Sequence, residues 1–131
     1  MTEFELPVLV GPADIDELDH VNNIVYLRWV QDAATAHWRA QAPPEARDAL
    51  AWVVRRHEID YRNPARLGDE LTVRTWVGEA DGLTFERHTE IVRRADERVL
   101  ARARTLWIPI DARSGRPTRV TEDVRRLFSR D

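Results

Sequence analysis

Polar and apolar residues between positions 24 and 40 follow the period of an α-helix. The stretch contains neither Gly nor Pro, and its polar residues fall at spacings of three and four, so they share one face. An ordinary surface helix has a single apolar stripe, whereas here the polar residues form the narrow stripe. We therefore expect a helix that is buried along much of its length, with Arg28 and Asp32 paired on its exposed edge. The polar stripe consists of Arg28, Gln31, Asp32, Thr35 and Arg39.

Alternating polarity predicts one strand before this helix and four strands after it. The first strand covers 4–10 and ends at the Gly11-Pro12 turn. The Pro43-Pro44 pair is expected to break the helix, and the chain beyond residue 49 to form strands in antiparallel succession. A hairpin turn is expected at Asp81-Gly82. The later strands are predicted over 51–62, 71–77, 83–91 and 99–110.

These elements predict a single α+β domain over residues 1–131. A five-stranded antiparallel sheet can curl around the one long helix because strands twist. A short final helix is expected to end near Phe128, with Thr121 as its N-cap.

One helix covers only one face of such a sheet, so the outer face and the edges need another explanation. We expect surplus apolar side chains on the outer face, which together with an unprotected edge strand favours a homodimer or homotetramer. Depending on the strand register, the outer residues are Trp52, Val54, Trp76, Val92, Leu100, Leu106 or Ile108.

Composition excludes several kinds of chemistry. The 131 residues are 43% apolar and 33% charged, as in a soluble globular protein, and no apolar run approaches the roughly 20 residues of a membrane span. The first five residues lack the basic start of a signal peptide. With no cysteine there is no thiolate nucleophile or disulfide, and we expect a cytoplasmic protein. All 20 basic residues are arginine, which excludes a Schiff-base lysine, and the net charge of −3 argues against a nucleic-acid partner.

The segment 14–23, at the start of the predicted helix, concentrates five ionisable side chains and two amides. A helix N-terminus presents unpaired N–H groups and the positive end of the helix dipole, so it stabilises anions and developing negative charge. A carboxylate held there is either a helix cap or a catalytic group. These residues by themselves leave both interpretations open.

Four motifs resemble the hotdog-fold acyl-CoA thioesterases, in particular the 4-hydroxybenzoyl-CoA thioesterase-like branch. They are ADID followed by HVNN in 13–23, VYLRW at 25–29, VRRHEIDY at 54–61 and PARLGDEL at 64–71. With the final long strand, the resemblance covers about residues 4–110. It implies a hotdog fold, a central helix wrapped by the sheet.

The resemblance also implies a thioester hydrolase that acts on a fatty or aromatic acyl-CoA. Asp16 is the matching catalytic carboxylate, either a nucleophile that forms a mixed anhydride or a general base that activates water. Backbone N–H groups near Asn22 and Asn23 would polarise the thioester carbonyl. No metal or separate cofactor is implied, because CoA enters as part of the substrate. Related enzymes often have glycine at the position of Asp19, and some have histidine or tyrosine at that of Asn23.

Further residues are candidates for the chemistry or for substrate binding. His20 is either an acid–base partner or an anchor of the loop, and Asn23 can position water or substrate through its amide. Arg62 and Arg66 can bind CoA phosphates in bidentate fashion or remain solvated. Each of the remaining candidates for substrate binding also suits a structural role, and the strand residues among them could line an acyl pocket across a subunit interface. These candidates are Asn22, Tyr26, His57, Ile59 and Tyr61.

Two other functions remain open from the sequence. The chain could release acyl groups from an acyl carrier protein in fatty acid or polyketide metabolism, which would require a basic docking surface. It could also be a hotdog domain that binds acyl-CoA without hydrolysing it. A hotdog dehydratase is a weaker option, since no Asp/His arrangement of that type is visible.

Overall fold

The structure is a computed structural model that describes residues 3–81 and 83–128. Gly82, in the expected hairpin turn, lies outside the described residues. The elements in chain order are strand β1 (Glu3–Leu9), a 3-10 turn (Pro12–Asp14), helices α1 (Asn23–Gln41) and α2 (Pro44–Ala49), strands β2 (Leu50–Tyr61), β3 (Glu70–Asp81), β4 (Thr84–Arg93) and β5 (Arg98–Asp111), and helix α3 (Glu122–Phe128). The α+β fold predicted from the sequence is confirmed, including one long helix and a five-stranded antiparallel sheet.

The strands do not lie beside one another in chain order. The order across the sheet is β1-β3-β4-β5-β2, and every neighbouring pair is antiparallel. The strand β2 therefore pairs with β5 and not with β3, which follows it in the chain. This arrangement leaves β1 and the 12-residue β2 as the two edges of the sheet.

Helix α1 is buried along its length, as the pattern predicted. Asn22 caps its first turn, and its buried positions recur in alternating steps of one and three residues from Val25 to His37. The proline pair does end α1, but it also starts a short helix that the sequence analysis did not predict. Pro44 occupies the first position of α2, where the missing N–H of proline costs nothing. No helix of the described residues is long and apolar enough to cross a membrane.

Two apolar clusters fill the space between the sheet and the helices. The first lies under the N-terminal half of α1 and includes Trp29, Val30, Leu71 and Ile91. The second lies toward the C-terminal end of α1, where Val124 and Phe128 of α3 meet Val77 and Phe85 of the sheet. Trp38, Trp52 and Trp107 pack against this second cluster.

The expected distribution of apolar residues on the outer face is wrong for two strands. Pairing shifts between Val54 and Arg56, so Arg55 is an extra residue and the alternation of β2 changes phase there. Trp52 consequently points inward, with its ring 5.3 Å from that of Trp38. A second shift leaves Leu100 as the extra residue of β5, and Leu100 is fully buried.

Charged residues dominate much of the outer face instead. One row of directly paired positions alternates in sign across all five strands: Glu5, Arg74, Glu90, Arg102 and Asp60. Ion pairs connect the first four, with N–O distances of 3.3 Å, 3.4 Å and 2.9 Å. This face is therefore adapted to water, and only scattered apolar residues such as Trp76 and Leu106 interrupt it.

The two faces of β5 can be tested with a matched pair of leucines. Leu100→Ala removes a fully buried side chain and should lower the free energy of unfolding by about 2–5 kcal/mol, through lost transfer energy and the cavity left behind. Leu106→Ala, on the outer face, should cost roughly 1 kcal/mol or less because that side chain is already partly in water. Urea denaturation measures both. Equal losses would contradict the phase change at Leu100.

Candidate active site

The segment 14–22 forms a narrow antiparallel loop in front of α1. Its two arms are joined at three successive positions, of which the first and last are backbone hydrogen bonds of 2.9 Å. The tip is a tight turn in which Asp19 donates its N–H to the carbonyl of Asp16 at 3.2 Å. The loop thus leads directly into α1, and its pairing places Asp16 two residues beyond the Asp14–Asn22 pair that adjoins the helix. The paired positions are Asp14–Asn22, Ile15–Val21 and Asp16–His20.

The tip of the loop has a left-handed backbone conformation, which suits the glycine that the family resemblance leads us to expect at position 19. Asp19 has a φ of +64°, a left-handed conformation that crowds the Cβ of most residues. Aspartate tolerates it better than most, because its short polar side chain can bond locally. The chain therefore keeps the loop geometry without the glycine.

Asp14 has a structural role. Its side chain is buried and accepts hydrogen bonds from the Gly11 N–H at 3.0 Å and from the Arg28 guanidinium at 2.9 Å. Arg28 therefore pairs with Asp14, not with Asp32 as the helical spacing suggested. The carboxylate of Asp14 ties the 3-10 turn to α1 and leaves no oxygen free for chemistry.

Asp16 is placed differently. It is half-buried, and its Oδ1 accepts a hydrogen bond from the Leu18 N–H at 2.9 Å. Its Oδ2 accepts no hydrogen bond from the part of the chain that the structure describes. One oxygen thus orients the carboxylate, while the other is available to a proton or an electrophile. His20 is half-buried at the opposite position of the loop and accepts the Asp16 N–H with its carbonyl.

The first turn of α1 has one N–H group left for a ligand. Asn22 donates its own N–H to Asp14, and its side-chain Oδ1 and its carbonyl accept the N–H groups of Ile24 and Val25. Asn22 is therefore a helix cap with both roles filled. The Asn23 N–H has no acceptor among the described residues, so it is the donor that can meet an oxyanion.

Tyr26 and Tyr61 support this corner of the molecule. The buried Tyr26 hydroxyl accepts the Ala65 N–H at 2.9 Å, and the Ala65 carbonyl accepts the Val21 N–H at 2.9 Å. Tyr61 donates its hydroxyl to the Asn23 carbonyl at 3.0 Å. Burial raises the pKa of both phenols, so both remain protonated at neutral pH. Tyr26 is thus a core residue, whereas Tyr61 borders the site.

His57 and Ile59 both have partners within the chain. His57 lies between the Gln31 Nε2, at 3.2 Å, and the Thr105 Oγ1, at 3.0 Å. Gln31 is eight residues beyond Asn23, roughly 12 Å along α1. Burial lowers the pKa of His57, and Ile59 packs against the first apolar cluster. His57 therefore has hydrogen-bonding partners on α1 and β5, and Ile59 packs with the cluster that includes Val21 and Tyr26.

Arg62 and Arg66 flank the connection that Tyr26 holds. Their backbone N–H groups bond to the Leu100 carbonyl at 2.8 Å and to the Asp69 carboxylate at 2.9 Å. Both side chains are exposed, and neither guanidinium forms an ion pair within the described residues. They are free cations next to the loop, a suitable arrangement for binding phosphate.

A second polar feature, which was not predicted from the sequence, lies at the other end of α1. A cavity of about 570 Å³ lies there, bordered by Arg87, and no residue of 14–23 lines it. The sequence signal for this feature was the alternation of β4, which puts Arg87 on the same inner face as Phe85 and Ile91. The described residues contain no group of His, Asp and Glu side chains arranged to hold a metal ion.

The sequence and the fold of this chain are both similar to those of known proteins. The sequence pattern of the thioesterase-like superfamily matches residues 10–128. Curated proteins gave no match. Among solved structures, the dynemicin thioesterase, described in a polyene-bound form, has a TM-score of 0.87 at 24% identity, with 98% of this chain and 96% of that chain covered.

Two further structures are similar over nearly the whole chain. A 1,4-dihydroxy-2-naphthoyl-CoA thioesterase from Synechocystis has a TM-score of 0.83 at 21% identity, covering 96% of this chain and 95% of its own. A thioesterase from Thermus thermophilus, complexed with coenzyme A and zinc, has a TM-score of 0.83 at 25% identity, covering 95% and 90%. The shared fold extends over the loop, α1 and all five strands.

The support of the loop by Tyr26 can be measured. Tyr26→Phe removes the acceptor of the Ala65 N–H and leaves this buried group unpaired, so the free energy of unfolding should fall by about 1–3 kcal/mol. Tyr61→Phe, the matched control, removes a hydroxyl from a side chain that is 42% exposed, and the loss should stay under about 1 kcal/mol. Chemical denaturation compares the two. A larger loss for Tyr61→Phe would argue against the proposed support.

Proposed function

We propose that this chain, which belongs to the thioesterase-like superfamily, hydrolyses an acyl-CoA thioester to a free acid and CoA by means of Asp16. Membership confirms the family and the class of enzyme, a thioester hydrolase, that the sequence motifs predicted. The observation that supports the assignment of Asp16 is its free Oδ2 in a loop paired with the N-terminus of α1, where the Asn23 N–H is also free.

The reaction needs only these groups and water. In the general-base form, the Asp16 carboxylate takes a proton from water as the water oxygen bonds to the thioester carbon. The carbonyl oxygen becomes an oxyanion, which the Asn23 N–H and the positive end of the α1 dipole stabilise. When the tetrahedral intermediate collapses, the C–S bond breaks and the thiolate takes the proton back from Asp16. Atoms and charge balance without a further reagent.

The nucleophilic form uses the same carboxylate. Asp16 Oδ2 bonds to the thioester carbon, the thiolate leaves, and water hydrolyses the mixed anhydride. Both forms require an unprotonated Asp16 and an oxyanion donor, so the described geometry supports each. Rapid quenching followed by mass spectrometry separates them, because only the nucleophilic form places an acyl group on Asp16.

We propose CoA as the carrier on the basis of charge. Arg62 and Arg66 provide two unpaired guanidinium groups beside the Ala65 connection, within the same corner as the loop. Phosphate groups of CoA are ligands that arginine binds in bidentate fashion. The acyl group is fatty or aromatic, and no separate cofactor is required, because CoA is itself part of the substrate.

A carrier protein is the alternative source of the thioester. The same two arginines would suit an acidic carrier surface, and three large apolar side chains beside them are strongly exposed. These are Leu18, Ile24 and Leu67, with exposed fractions of 71%, 73% and 58%. Hydrolysis of carrier-bound esters in preference to the same acyl-CoA would favour this alternative.

We also propose a homodimer or homotetramer in the cytoplasm. The 12-residue edge strand β2 has no partner beyond β5 in the described chain, and Val53 on it is 51% exposed. Long unprotected edges favour pairing with another chain. Light scattering in solution would distinguish these assemblies from a 15.2 kDa monomer. The cytoplasmic location follows the cysteine-free sequence.

The role of Asp16 can be tested with two isosteric substitutions in one loop. Asp16→Asn removes the base or nucleophile and should lower kcat for thiol release from a panel of acyl-CoA esters at least about 100-fold. Asp19→Asn should retain activity within about threefold, since asparagine also tolerates the left-handed conformation at that position. Thermal unfolding checks that both variants fold. Full activity of Asp16→Asn would reject the assignment, and binding without turnover across the wild-type panel would reject hydrolysis.

Substrates with and without phosphate groups can test whether Arg62 and Arg66 bind the phosphates of CoA. The double variant Arg62→Gln, Arg66→Gln should raise KM for an acyl-CoA roughly three- to tenfold with little change in kcat, because only phosphate binding is lost. An N-acetylcysteamine thioester of the same acyl group lacks phosphates and should be hydrolysed equally by both proteins. Arg56→Gln, an exposed arginine of β2 paired with Glu58, is the control. An unchanged KM for the CoA ester would contradict phosphate binding.

A further inference from the structure

A cavity of about 570 Å³ lies between the C-terminal half of α1, the two short helices and the inner face of the sheet. Its volume is typical of sites that bind small organic molecules. Aromatic rings form much of its wall, and several contact one another at centroid distances near 5 Å. These wall residues are Trp38, Trp52, Phe85, Trp107 and Phe128.

Arg87 borders this cavity and is only 7% exposed. Its Nη1 donates to the His37 Nδ1 at 2.9 Å and to the Thr75 Oγ1 at 3.1 Å. Both partners are neutral acceptors, and Arg87 forms no ion pair with any carboxylate of the described residues. A buried cation is ordinarily accompanied by an anion, because desolvation of an isolated charge is unfavourable.

His37 does not neutralise the charge of Arg87. Because Arg87 donates to its Nδ1, the ring proton of His37 resides on Nε2. Burial, together with the Arg87 cation, lowers the pKa of His37 to about 4, so the ring is neutral at pH 7. Burial also lowers the pKa of Arg87, to about 10, which leaves the guanidinium protonated at pH 7. Among the residues that the structure describes, the positive charge of Arg87 therefore has no compensating anion.

The cavity walls also contain donors that lack acceptors. The indole Nε1 groups of Trp52 and Trp107 are buried and have no hydrogen-bond partner among the described residues. Of the two acidic residues that border the cavity, Glu86 is bound to Arg104 and His88, and Asp48 is exposed at the rim. The interior thus offers aromatic surface, one cation and two donors.

We propose that this cavity binds a planar aromatic carboxylate, with the ring between the tryptophans and the carboxylate toward Arg87. The site goes beyond the proposed hydrolysis and does not depend on it, since no residue of 14–23 lines the cavity. The two regions lie at opposite ends of α1, a helix of 19 residues that is about 28 Å long.

A pair of probes tests this site by calorimetry. 2-Naphthoate carries the carboxylate, and 2-naphthalenemethanol is a neutral molecule of the same shape. The naphthoate should bind wild-type protein at least about tenfold more tightly, and Arg87→Met should remove that preference. Arg39→Met removes an exposed arginine at the rim and should preserve it. Equal affinities for the two probes, or a preference that survives Arg87→Met, would overturn the proposal.

Nuclear magnetic resonance of the wild-type protein keeps the test independent of how Arg87→Met folds. Naphthoate should shift the indole N–H signals of Trp52 and Trp107, assigned from the Phe variants, and leave those of Trp29 and Trp76 unchanged. Asp16→Asn should bind naphthoate within about twofold of wild type. Shifts confined to Trp29, or binding lost in Asp16→Asn, would place the carboxylate at the hydrolytic site and reject a separate one. Loss of hydrolysis in Asp16→Asn leaves this readout unaffected, so the two proposals fail separately.

Discussion

The hydrogen bonds of the N–H and the carbonyl of Ala65 are the constraint on which the candidate active-site corner depends. Ala65 is fully buried, its N–H bonds to the Tyr26 hydroxyl of α1, and its carbonyl accepts the Val21 N–H of the loop 14–22. Ala65 therefore links the loop and the long helix, which are adjacent in the chain, to the distant connection between β2 and β3. Because the N–H and the carbonyl of Ala65 are both buried, neither can exchange its partner for water without loss. The position of Asp16 relative to α1 is thereby coupled to the position of the arginines on the connection.

Shifts of strand pairing decide which side chains of the sheet face the interior. The extra residue Arg55 turns Trp52 from the outer face to the inner face, where it becomes a wall of the cavity. The extra residue Leu100 enters the first apolar cluster in the same way. Strand positions were predictable because alternation is a local property of the sequence. The sheet face that each side chain occupies was not predictable, because a bulge inserts one residue without a local signal and inverts the alternation beyond it. The same limit applies to Pro44, which local rules identify as a helix breaker although it also starts α2.

The candidate site was predictable where the chemistry is local, and unpredictable where it depends on distant contacts. The structural role of Asp14 and the capping role of Asn22 follow from bonds within or next to the loop, and the sequence indicated both. His57 was grouped with the site because it shares a strand face with Tyr61, yet the helix residue it meets is Gln31, a contact that only the folded chain defines. Arg87 was not identified from the sequence because arginine is normally solvated. Its burial results from helices packed over its strand.

The two ends of α1 place opposite electrostatic demands on the protein. In the proposed hydrolysis, neutral N–H groups and the positive end of the dipole suffice at the N-terminus, because the negative charge there develops only during the reaction. At the other end, Arg87 carries a full charge next to His37, near the last turn of α1, so the negative end of the dipole favours it. That contribution is about 0.3–1 kcal/mol and falls off within the last turn. The effective penalty for a buried ion is several kcal/mol. The helix dipole is therefore too weak to compensate the guanidinium, and a bound anion is the partner that the charge requires.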